Sequence, residues 1–153
     1  METFRYLPIL LILNSCIMQA QDHPQFLDAH QWEHRLVILF ADNPQQDILR
    51  KQLQLLEAQP DALADRQLQL YQVFTKYTLA PDGTRLGKGE IAAATARQLR
   101  KYYGVDTGTF AVLLIGKDGG EKLRQSDILA PQRLFDTIDA MPMRRAEMRR
   151  KNE

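Results

Sequence analysis

Two uninterrupted apolar runs, Leu36 to Phe40 and Phe110 to Ile115, stand out along the chain. An apolar run without alternation is what a central strand needs when helices cover both of its faces. Gln67 to Phe74 predicts a strand of another kind. It has Leu68, Leu70 and Phe74 on one parity and Tyr71 and Val73 on the other, with enough polar residues for a less buried position. Lys117-Asp118-Gly119-Gly120 is a hairpin connection into Glu121 to Arg124, so the two strands it joins are expected to be antiparallel neighbours.

Helical spacing fills the intervals. Leu49, Leu53 and Leu56 recur four and three apart, widened by Ile48 and Leu55, until Pro60-Asp61. A second helix starts at Glu90, with Ile91, Ala94 or Thr95, Leu99 and Tyr102 on its expected inner face and Gly104 as its C-terminal cap. Pro131 opens a last helix with Leu134, Phe135, Ile138 and Met141 as its stripe, and Pro142 is expected to stop it. Before the first strand, Gln25 to Gln31 predicts a short helical turn, and Trp32 is expected to cover an edge of the core. This order predicts an α/β fold around a central mixed sheet of about four strands.

The length of 153 residues fits one domain, and 44% apolar with 25% charged residues is a globular composition. Twenty basic against nineteen acidic residues leave a net charge of +1, so no overall field draws nucleic acid, which is not an expected partner. Charge is concentrated only at the end, where Arg144, Arg145, Arg149, Arg150 and Lys151 surround Met143 and Met148. Residues 143–153 are read as a solvated, partly helical basic tail able to meet an anionic surface.

Arg5, the apolar stretch Leu7 to Leu13 and the small Ala20 read as a secretory signal, too short to span a bilayer. The expected organisation is a signal over 1–20, a domain over 21–142 and the tail, in a periplasmic or secreted protein. Leu13-Asn14-Ser15-Cys16 partly resembles a lipobox, and the alternative is a lipoprotein tethered through Cys16. Cys16 is the only cysteine. Cleavage after Ala20 leaves no thiol for a disulfide, a thiolate metal site or a redox centre.

The junction after the first strand carries the candidate chemistry. Asn43 suits a helix N-cap, Pro44 the first helical position and Gln46 the second half of a capping box. The amides behind Pro44 could take an anion or a peptide carboxylate. Asp42, with Arg124 or His34 brought near by folding, would form an acid/base group. His30 and His34 are four apart, but His34 abuts the strand, so no metal site is expected. Gly87, Gly89 and Gly104 do not read as a phosphate loop, because no strand runs directly into a glycine-rich turn there and no Lys-Ser or Lys-Thr pair follows.

The order of elements resembles the thioredoxin fold. Phe110 to Arg124 and Phe135 to Met148, with the Leu36 strand, resemble a bacterial family known only as domain of unknown function 4174, thioredoxin-like and distantly similar to peroxiredoxins. The resemblance covers roughly Gln25 to Arg149, and Ile138-Asp139-Ala140-Met141-Pro142-Met143-Arg144-Arg145 is its most specific part. It implies a thioredoxin-like three-layer α/β/α arrangement and, through related domains in eukaryotic extracellular matrix proteins, adhesion or binding. A thioredoxin would place Cys-x-x-Cys, and a peroxiredoxin its lone reactive cysteine, where this chain has Asn43-Pro44-Gln45-Gln46; Gly108-Thr109 stand where thioredoxins have a cis-proline. Taken with the candidate signal over 1–20, the resemblance implies an exported, non-catalytic binding module without thiol redox activity and without a cofactor. Its candidate surface is Asp42, Asn43, Pro44, Gln46, Gly108 and Thr109, and its partner a protein or an anionic ligand. The alternatives are an enzyme using non-cysteine chemistry, or attachment through the Arg-rich tail. Membrane contact would come only from lipid on Cys16 or from that tail.

Overall fold

The first apolar run forms β1 (Arg35–Phe40), buried at every position in the computed structural model, which describes residues 23–151 and Glu153. The expected signal over 1–20, with Cys16, lies outside the described residues. β1 pairs in parallel with β2 (Leu68–Val73) and antiparallel with β4 (Ala111–Ile115). β3 (Thr78–Leu79) extends the sheet beyond β2, and β5 (Glu121–Gln125) beyond β4, giving the order β3-β2-β1-β4-β5. The mixed sheet thus has five strands rather than about four, because two residues of β3 are too few to show an alternation in the sequence.

The parity of β1 assigns the layers. Leu36, Ile38 and Phe40 join Ala111, Leu113 and Ile115 under α3 (Glu90–Tyr103) and a 3-10 turn (Gln25–His30), which contribute Ala96, Leu99, Tyr103 and Leu27. Val37 and Leu39 join Val112 and Leu114 against α1 (Asp47–Glu57) and α4 (Pro131–Asp139), through Leu49, Leu56, Leu134, Phe135 and Ile138. Each fully buried side chain of this kind contributes roughly 1.5–3 kcal/mol, so β1 anchors both halves of the core. The result is the expected three-layer α/β/α arrangement.

Several local expectations change. Pro60 does not simply end a helix; it opens a short second one, α2 (Pro60–Asp65). On α3 the inner face is Ala92, Ala96, Leu99, Arg100 and Tyr103, one step round from the predicted stripe, and Ile91 is exposed. Trp32 covers no core edge: it is 61% exposed, with a left-handed φ of +68°. Pro142 likewise opens α5 (Pro142–Lys151), because a first-turn proline lacks only an N–H that has no helical partner anyway. Residues 143–151 are therefore a docked helix, with Arg144 buried.

Candidate functional site

Asp42 follows the C-terminal end of β1, the end of parallel strands at which α/β sheets usually place their sites. Its carboxylate accepts a hydrogen bond from the Gly108 amide at 2.7 Å. Its own amide donates to Gln46 Oε1 at 3.0 Å, and its carbonyl accepts from the Thr75 hydroxyl at 3.3 Å. Three loops, after β1, after β2 and before β4, are thereby joined at one residue. Gly108 has φ +88°, a conformation that glycine adopts at least cost.

Arg100 lies beneath this junction. It is 6% exposed and donates to the carbonyls of Ala41 at 2.6 Å and Asp106 at 2.9 Å, while its guanidinium lies 5.5 Å from the Phe40 ring centre. Burial lowers its pKa from the ordinary value, and the Asp42 carboxylate opposes that shift. The buried cation ties the end of β1 to the 106–109 turn from inside, as Asp42 does nearer the surface. The sequence reading missed Arg100 by taking the stripe of α3 one position off; the 4-3-4 spacing of Ala92, Ala96, Leu99 and Tyr103 was the available signal.

The predicted capping roles are corrected. The helix begins at Asp47, with Gln46 at the N-cap position and no side-chain cap. Asn43 instead closes a turn, its Oδ1 accepting from the Gln45 amide at 3.0 Å, and Pro44 sits in that turn ahead of the helix. Gln46 does reach back, but to Asp42. Asp47, which pairs with Arg50, already places a negative charge in the first turn, which weighs against a second anion there. The acid/base grouping does not assemble either. His34 precedes β1, roughly 20 Å of extended strand away from Asp42. Arg124 pairs with Glu121 at 2.7 Å and donates to the Tyr103 carbonyl at 2.6 Å.

His30 lies in the 3-10 turn and is hydrogen-bonded to the Tyr71 hydroxyl at 2.7 Å; desolvation by burial, then His34, lowers its pKa. No group of three or more His, Cys, Asp or Glu side chains suited to a metal occurs among the described residues. Asn43, Pro44, Gly108 and Thr109 are exposed and Asp42 and Gln46 half-buried, so the predicted surface is a polar ridge whose only charge is a carboxylate already engaged.

The chain is 29% identical over 146 residues to coiled-coil domain-containing protein 80 of Danio rerio, covering 85% of this chain and 17% of that protein. It is 27% identical over 122 residues to sushi repeat-containing protein SRPX of Homo sapiens, covering 80% and 26%. It thus spans well under a third of either vertebrate relative. Among solved structures it is similar to reduced 2-Cys peroxiredoxin of Plasmodium vivax, with a TM-score of 0.55 and 17% identity over 80% of this chain and 84% of that one. At that identity what is shared is the peroxiredoxin/thioredoxin-like fold. The sequence profile of a domain of unknown function matches residues 26–147, which takes in every element from the 3-10 turn to Glu147 of α5, and the chain accordingly belongs to that family, DUF4174.

Proposed function

We propose that this chain is an exported thioredoxin-like binding module, without thiol redox activity in its mature form, that holds a partner protein through the 43–45 turn and Gly108-Thr109. The observation that supports the reading most is the Asp42–Gly108 bond at 2.7 Å, which fixes two loops far apart in the sequence as one surface. That surface offers amide and hydroxyl groups in place of cysteine. Export rests on the pattern of residues 1–20, with lipid attachment at Cys16 as its variant, and places the protein in a bacterial periplasm or outside the cell.

The partner is tested by placing a photo-crosslinking residue at Asn43 or Thr109 in the source cells, with Gln132 on the exposed side of α4 as control. A discrete adduct at the first two positions and none at Gln132 supports the reading. Equal labelling at all three, or none, overturns it. Insulin reduction and peroxide consumption by the chain from Gln21 onward should stay at the buffer rate. Mass spectrometry of the native N-terminus separates cleavage after Ala20 from lipid on Cys16.

A further inference from the structure

We propose that the cleft beside the β2–β3 turn is a binding site for a phosphate dianion, free or carried by a small organic monoester. The site is separate from the polar ridge and does not depend on the reading given for it. It is lined by Lys76, Tyr77, Arg85, Gly87, Lys88 and Ala92 among others, and its volume is about 710 Å³. The three cations come from three segments: the turn after β2, the return past β3, and the lead-in to α3. Among the described residues no carboxylate lines this cleft. The other basic clefts described carry their own anions: Asp118 beside Lys117 and Lys122, Asp106 beside Arg97 and Arg100, and Asp65 and Glu147 beside Arg144 and Lys151. Glu90 follows Gly89 directly but is not among the lining residues, and Asp82, earlier on the loop, is engaged by the amide and hydroxyl of Thr84 at 2.9 and 2.7 Å.

Of the three cations Arg85 is held on a fixed frame, while Lys76 and Lys88 are exposed side chains on the adjoining segments. Arg85 bridges to Leu79 through the backbone, and its guanidinium stacks on Tyr77 at 4.1 Å from the ring centre. Phe74 backs Tyr77 with ring centres 4.9 Å apart. The Leu86 amide donates to the Thr78 carbonyl at 3.0 Å. Gly87, at φ +77°, lets the backbone lie so close to α3 that a Cβ there would meet Ile91 Cγ2 at 2.7 Å. The cleft is not a strand-to-glycine phosphate loop, in keeping with the sequence pattern: β3 ends at Leu79, well before Gly87 and Gly89. A fixed arginine with two lysines suits a doubly charged oxyanion, and the cleft has room for the group that carries it.

The test is calorimetric titration of the chain from Gln21 onward in a chloride buffer, at constant ionic strength, with inorganic phosphate, a phosphate monoester such as glycerol phosphate, and acetate. Phosphate or its monoester should bind with one-to-one stoichiometry and acetate should not. Arg85→Gln and Lys88→Gln should each weaken binding roughly tenfold or more, the loss of one charge-assisted hydrogen bond, with unchanged melting. Gly87→Ala should weaken it without removing a charge, whereas Arg149→Gln on α5 should leave it unchanged. A monoester at least tenfold tighter than phosphate assigns a phosphorylated small molecule; equal affinity assigns free phosphate. Dianion binding no tighter than acetate, or unaffected by Arg85→Gln and Lys88→Gln together, overturns the site. None of these outcomes bears on crosslinking at Asn43.

Discussion

Arg35 and Glu147 lie 112 residues apart and share two hydrogen bonds, from Nη1 to Oε2 at 3.1 Å and from Nη2 to Oε1 at 3.2 Å. Arg35 is 1% exposed at the first position of β1, and Lys117 reaches the same carboxylate at 2.8 Å. Along α5, Arg144 meets Asp65 and Asp139, Asp139 also holds Arg66, and Lys151 meets Asp65 at 2.7 Å. The one buried residue of α5 is Arg144, so paired charge rather than an apolar face docks this helix.

Removing one partner of a buried pair leaves the other uncompensated. Glu147→Ala should therefore cost about 3 kcal/mol in urea denaturation, because Arg35 and Lys117 would remain buried without an anion. Replacing all three charges, Arg35→Met and Lys117→Met with Glu147→Leu, should recover most of that loss. Arg149→Ala, on the exposed side of α5, should stay within about 0.5 kcal/mol of the parent.

The same network sets an acid limit. Hydrogen bonds from Lys151 and then Arg144 hold Asp65 down to about 2. Burial pushes Asp139 and Glu147 up, but Arg66 and Arg144 in the first case, and Lys117 and Arg35 in the second, more than offset it, and both end below the ordinary range. Depressed carboxylates give stability that is present above their unfolded values, about pH 4, and is lost as pH falls through the folded values. Melting temperature should therefore hold near neutrality and fall steeply between about pH 4 and 2. Asp65→Asn with Glu147→Gln should start lower and lose less over that window.

The apolar signal and the turn residues made four of the five strands, the hairpin and the longer apolar-striped helices legible, since Leu36 to Phe40 and Phe110 to Ile115 admit little other than covered strands. It could not show α5, whose docking depends on charges brought together from Asp65, Asp139, Arg35 and Lys117 across the fold. The candidate ridge was legible as a place, and Asp42 and Gly108 do meet there. Its inner support was not, because an arginine in a helix stripe reads as a surface residue until the carbonyls of Ala41 and Asp106 are seen against it.

Arg100 makes its contacts through two nitrogens of one planar group, which lysine cannot reproduce. Arg100→Lys should leave either the Ala41 or the Asp106 carbonyl without its charged donor and cost about 2 kcal/mol or more in urea denaturation. The amides of Gly108 and Thr109 should exchange faster in that variant.

Trp32 keeps its left-handed backbone while its backbone amide donates to the Lys117 carbonyl at 2.6 Å. Glycine takes that conformation without the roughly 1–2 kcal/mol that other residues incur, and little packing is lost with a side chain this exposed. Trp32→Gly should raise stability by up to about 1 kcal/mol once the added freedom of the unfolded chain is counted. In the parent, fluorescence from this sole tryptophan should be red-shifted and quenched by iodide.

The Asp42–Gly108 bond separates support of the ridge from support of the core. Asp42→Ala removes the acceptor while leaving Arg100 on the carbonyls beneath, so global stability should fall by only about 1 kcal/mol. Protection of the Gly108 amide should fall much further than that of Thr109, whose amide donates to the Asp106 carbonyl at 3.2 Å. Asp42→Asn, which keeps an acceptor oxygen, should restore most of the protection. Hydrogen exchange read residue by residue checks this: equal loss at both amides would mean that the whole 106–109 turn, rather than the single bond, depends on Asp42.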